Sequence, residues 1–195
     1  MRIPFWIPAL WIGLTLAALP KFPMVTLVGY HAICLLGCAR HPWPRWGRMP
    51  VLAWGGLAAA ALLVPWLLRG PIQAHLPTAG AQGFLAHWPG GFLSYVAYTL
   101  TLNSLCEEAY WRHALVLDHP GWSDTPHGLA FGLHHLVGNG LVFGWAAAIP
   151  AFAYTAVGGW LGIKVARRTG GLGVVILGHS LLNALSFAWL WKTLG

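Results

Sequence analysis

Apolar stretches near residues 3–19, 22–39, 49–68, 91–117, 127–147, 150–166 and 171–191 fill most of the 195-residue chain, separated by short segments of Pro, Gly and basic residues. A helix needs about 20 such residues to cross a bilayer, and inside lipid each segment must satisfy its own backbone N–H and C=O groups. The expected fold class is therefore all-α, a polytopic transmembrane helical bundle of about seven spans. Only 8% of the residues are charged, against roughly 25% in an average soluble domain, which argues against a soluble fold. The first stretch ends at Pro20 and Lys21 without a small-x-small cleavage signal, so it reads as a span rather than a removable leader.

Eleven Lys and Arg stand against four acidic residues, a net charge of +7. The basic residues lie singly or in small groups between apolar runs. No dense stripe tracks phosphates, so nucleic acid is excluded as a partner. Their distribution instead orients the chain. With a cytoplasmic N-terminus and seven spans, Arg2, Arg40, Arg45, Arg48, Lys164, Arg167 and Arg168 lie inside, and Lys21, Arg69 and Lys192 outside. The expectation is an integral, multi-pass protein, in a bacterial inner membrane to judge from its compact loops. Residues 69–90, rich in Pro, Gly and Ala, read as an extramembrane loop or a re-entrant piece. They divide a three-span N-terminal part, residues 1–90, from a four-span part, residues 91–195. Cys34, Cys38 and Cys106 lie inside apolar runs without a CxxC pattern and read as packing residues.

Two of the four acids, Glu107 and Glu108, are adjacent within an apolar run. An ionised carboxylate at mid-membrane costs about 2.5–3.5 kcal/mol on insertion scales, so such a pair points to a functional site. Arg112 follows Glu108 by one helical turn in the order that favours pairing. That leaves Glu107, about 100° round the helix, free for chemistry. Of the ten histidines, His31, His41, His75, His87, His113, His119 and His127 read as loop or span-end residues, whereas His134, His135 and His179 lie deeper. Phe131 shares a helix face with His135, and His179 with Asn183. Counted along their spans, Glu107, His135 and His179 each fall roughly 12–15 Å from the cytoplasmic surface at 1.5 Å per residue, so they can meet in one layer.

These residues form an EExxxR motif (Glu107, Glu108, Arg112), an FxxxH motif (Phe131, His135) and an HxxxN motif (His179, Asn183), in order along consecutive spans. With the further stretch RRTGGLGVVILGHSLLN, the pattern resembles the CPBP family of intramembrane proteases, which includes the type II CAAX prenyl endopeptidases. The resemblance covers about residues 91–187 and marks residues 91–195 as a catalytic membrane core. There are departures. Trp111 and His113 flank the motif arginine where the family usually has Phe and Gly, and His134 is an extra histidine beside His135. These are expected to leave the catalytic set untouched and to bear on substrate choice.

The resemblance implies an intramembrane endopeptidase acting near the membrane surface on a membrane-anchored protein or peptide, such as a C-terminal tail. Glu107 is then the general base on a water also held by His135, and His179 and Asn183 stabilise the oxyanion. Glu108, Arg112 and Phe131 support them from behind. A carboxylate in a low-dielectric cavity and a two-donor oxyanion hole fit that chemistry. The expected mechanism needs no cofactor. The alternative is zinc held by Glu107, His135 and His179, although no HExxH motif is present. Two further alternatives are an ion or proton transporter, which does not account for the HxxxN spacing, and a non-catalytic immunity or adaptor member of the family.

Overall fold

The computed structural model describes residues 3–47 and 78–194, which are helical with no strand among them. Helix α1 (Trp6–Ala18) stops where Pro20 forbids continuation, and α2 (Pro23–Cys38) begins with proline at a position that needs no N–H donor. A short helix, α3 (Thr78–Ala86), lies within the stretch expected to be a loop or re-entrant piece. A long rod, α4, runs through residues 91–118. Its α-helical pieces Gly91–Tyr98, Ser104–Ala109 and Leu115–Asp118 are joined by π-helical turns at Thr99–Asn103 and Tyr110–Ala114. Helices α5 (Asp124–Phe143) and α6 (Trp145–Thr169) form a hairpin about Gly144, whose φ of 82° suits only glycine. After Gly170, α7 (Gly173–Leu194) completes the fold.

The all-helical expectation holds, but the spans are less regular than the apolar runs suggest. Among the described residues one helix, α6, is long and apolar enough to cross a membrane. Helices α1 and α2 have 13 and 16 residues, so at 1.5 Å per residue they fall short of a hydrocarbon core about 30 Å thick. The stretch 49–68 lies outside the described residues. Large apolar side chains point outward, including Leu14, Leu36, Leu93, Ile149 and Val157, a surface suited to lipid rather than water.

Helices α5 and α6 pack closely along their length, and small residues let their backbones approach. A Cβ added to Gly128 would lie 2.6 Å from the Ala156 carbonyl oxygen, and one on Gly132 would lie 2.9 Å from the Ala156 Cβ. Small residues four apart allow this geometry in membrane helix pairs. Gly128→Val is therefore expected to force α5 away from α6 and cost about 1–3 kcal/mol as overpacking. Thermal unfolding in detergent checks this, and an unchanged midpoint would contradict the contact.

Charged residues gather at one end of the bundle. Asp118, at the end of α4, pairs with Arg40 and lies 3.1 Å from His41 Nε2, just beyond α2. Asp124, at the start of α5, pairs with Arg167 at 2.7 Å. The peptide N–H groups of Leu172 and Gly173 donate to the carbonyls of Arg45 and Trp46, strapping the segment after α2 to the start of α7. Burial, then the charges of Arg40 and His113, hold His41 below the ordinary imidazole value. It is therefore neutral at pH 7, and Arg40 is the cation that balances Asp118.

Candidate active site

Both glutamates sit on Ser104–Ala109, the short α-helical piece between the two π turns, and both are buried, Glu107 at 3% and Glu108 at 1% exposure. Single π turns inside α-helices are frequent at functional sites because they change which face the next residues present. The pairing expected from sequence is present. Arg112 Nε lies 3.1 Å from Glu108 Oε2, and its guanidinium carbon sits 3.5 Å above the centre of the Phe131 ring. His179 Nδ1 donates to Glu108 Oε1 at 2.8 Å, so Glu108 is held between two basic groups.

Glu107 is held differently at its two oxygens. Its Oε1 accepts the Tyr30 hydroxyl at 3.0 Å and faces His134 Nε2 at 3.3 Å. Its Oε2 has no hydrogen-bond partner among the described residues and lies 3.7 Å from His179 Nε2. His135 donates its Nδ1–H to the Phe131 carbonyl at 3.2 Å, which leaves its Nε2 with a free lone pair. One donor atom from each of Glu107, His134 and His135 can be chosen so that all lie within 4.8 Å of one another. Asn183, one turn after His179, donates to Ser104 Oγ at 3.4 Å on the same short piece of α4.

The fold thus brings together Glu107, His135 and His179, with Glu108, Arg112 and Phe131 behind them and Asn183 one turn away. Three further residues enter. His134, an extra beside the motif in sequence, makes the direct contact with Glu107. Trp111 stacks on the His134 ring at 5.0 Å with an 8° interplanar angle, and its indole N–H donates to the Tyr30 hydroxyl at 2.9 Å. The expectation that Trp111 and His134 leave the catalytic set untouched is therefore corrected. His31 is corrected too. It is not at a span end but in the middle of α2, 4% exposed, its Nδ1 on the Tyr98 hydroxyl and its Nε2 3.1 Å from Asn103 Oδ1. A Tyr-His pair in the middle of an apolar run was the legible signal, because buried polar groups in such a run demand partners.

The model of the family described as type II CAAX prenyl endopeptidase Rce1-like matches residues 88–185, just over half of the chain. The chain belongs to this family. The matched region holds all of α4, α5 and α6, the start of α7 and every motif residue; Tyr30 and His31 lie outside it. No curated protein and no solved structure matches the chain. Membership in the Rce1-like family assigns the chain to the CAAX-type endopeptidases, and the apolar α6 fits a membrane protein.

Proposed function

We propose that this Rce1-like chain is a multi-pass intramembrane endopeptidase that hydrolyses a peptide bond near the membrane surface of a membrane-anchored protein or peptide, with Glu107 as the base. The observation that carries the reading is Glu107 Oε2, a buried carboxylate oxygen without a hydrogen-bond partner among the described residues and 3.7 Å from His179 Nε2, in a cluster where a donor atom of His135 lies within 4.8 Å of one of Glu107. A water there gives one proton to Glu107 while its other hydrogen bonds His135 Nε2. The oxygen attacks the scissile carbonyl, and the carbonyl oxygen becomes an oxyanion facing His179 and Asn183. Collapse of that intermediate expels the amine, which takes the proton from Glu107. Because Glu108 already accepts the His179 Nδ1–H, donation from Nε2 requires the imidazolium form.

The same donors also suit a metal. His135 and His179 have their Nδ1–H groups committed to a carbonyl and a carboxylate, the arrangement that readies Nε2 of a zinc-bound histidine. Glu107 and His135 would hold the ion together with His134, the three whose donor atoms lie within 4.8 Å of one another, in place of the expected His179, which is adjacent; bound zinc would supply a Lewis acid and a more acidic water. We favour the glutamate mechanism because the carboxylate and imidazoles account for each proton transfer. The basic end of the bundle, by the positive-inside bias, faces the cytoplasm of a bacterial inner membrane.

The test is cleavage of fluorogenic peptides anchored by a prenyl or acyl chain, using protein in lipid nanodiscs. Wild type should cleave at least one peptide with and without a zinc chelator, and His179→Ala should lose about 10²–10³-fold in kcat, as for removal of an oxyanion donor. Loss of cleavage on chelation, restored by stoichiometric zinc, would overturn the metal-free mechanism. Absence of any product, together with Glu107-dependent proton or ion flux, would replace the protease reading with a transporter.

A further inference from the structure

Tyr30 lies outside the family-matched region, and the three motifs give it no part. We propose that its hydroxyl, aimed by Trp111, is the positioning group for the Glu107 carboxylate. It occupies Oε1 together with the Nε2–H of His134, and leaves Oε2 as the oxygen that receives the proton of the attacking water. This inference rests on the reading of Glu107 as general base.

Counting donors fixes the direction of each contact. The Trp111 indole N–H can only donate, so the Tyr30 oxygen accepts it at 2.9 Å. The single Tyr30 hydrogen then has two candidate acceptors, Glu107 Oε1 at 3.0 Å and His134 Nε2 at 3.1 Å. A base ready to act is an ionised carboxylate with no hydrogen of its own, so its 3.3 Å contact with His134 requires the proton on His134 Nε2. That nitrogen therefore cannot accept from Tyr30, and the Tyr30 hydrogen goes to Glu107. Oε1 receives both hydrogens and Oε2 none.

The surroundings hold this arrangement still. Tyr30 is 1% exposed and its ring stacks on His134 at 5.3 Å, while Trp111, fully buried, covers His134. The adjacent His31 uses both ring nitrogens to fasten α2 to α4 through Tyr98 and Asn103. The hydroxyl is therefore anchored from its own helix as well as from Trp111. A carboxylate free to rotate would divide its time between oxygens, whereas this one presents a single oxygen toward His179.

The experiment has two arms, so that failure of the protease reading is separable from failure of the inference. In the first, ring-15N histidine is incorporated into full-length protein in nanodiscs, and the His134 signals are assigned by their loss in His134→Gln. Wild-type His134 should carry its proton on Nε2, and Tyr30→Phe should change that signal. In the second, the anchored fluorogenic peptides are used. Tyr30→Phe should lower kcat about 10–100-fold with KM within about twofold, the pattern for loss of a hydrogen bond to a charged group that acts at the chemical step. Trp111→Phe should lower kcat in the same direction by less. A His134 proton on Nδ1 in wild type, or an unchanged kcat in Tyr30→Phe, would overturn the proposal. If no peptide is cleaved by wild type, the first arm decides: an Nε2 proton that responds to Tyr30→Phe supports it, and an unresponsive signal overturns it. If Tyr30→Phe does not fold, Trp111→Phe replaces it in both arms.

Discussion

Glu107→Gln is expected to lower kcat on the anchored peptides by about 10²–10⁴-fold, the range for removal of a general base, while the protein still folds. Glutamine has the shape of glutamate, and its carbonyl oxygen can still accept from Tyr30 and His134 where Oε1 now does. The amide nitrogen then takes the place of Oε2, and an amide cannot accept the proton of the attacking water. Because the shape and the hydrogen bonds at Oε1 are kept, the unfolding midpoint in detergent should stay close to that of wild type. A Gln variant cleaving within tenfold of wild type would remove Glu107 from the role of base, whatever its position.

Arg112→Ala is expected to act chiefly on stability. Its guanidinium and the Glu108 carboxylate are almost wholly buried, at 4% and 1% exposure, and removing one partner of such a pair leaves an uncompensated charge, at a cost of about 3–5 kcal/mol. The variant also uncovers the face of Phe131, on which the guanidinium rests, a contact worth about 0.5–2 kcal/mol. Arg112→Lys restores the charge but not the flat stack, so it should fall between alanine and wild type. Thermal unfolding of the three proteins in one detergent provides the comparison. Alanine and wild-type midpoints that coincide would show that Glu108 is balanced without Arg112, with His179 the remaining partner.

The sequence made the helical class legible because alternation and turn chemistry for strands are absent from its long apolar runs. It also made the support of Glu108 legible, since Arg112 lies one turn away and the order of charges is favourable. Span lengths were less legible. Hydropathy counts apolar residues whether or not they are helical, so the stretches 3–19 and 22–39 include end residues that the helices Trp6–Ala18 and Pro23–Cys38 leave out. The choice between His134 and His135 was beyond reach for a geometrical reason. Neighbours on a helix differ by about 100°, and which of the two faces Glu107 depends on how α5 rotates against α4. Tyr30 was beyond reach because its partners are 77, 81 and 104 positions away. A motif search within residues 91–187 cannot find a hydroxyl delivered by α2.

The two π turns of α4 carry a consequence for how this chain tolerates changes in length. A π turn is an α-helix with one residue too many, and the carboxylate pair lies between two of them. Deleting one residue from Thr99–Leu102 would let an ordinary helix close there and turn everything upstream by about 100° relative to the glutamates, so that Tyr98 and Asn103 could no longer both reach His31. A deletion within Tyr110–Ala114 would instead swing Arg112 and Trp111 off their partners. Substitutions along this rod change one contact at a time, but a single lost codon in either turn would disengage a whole side of the site.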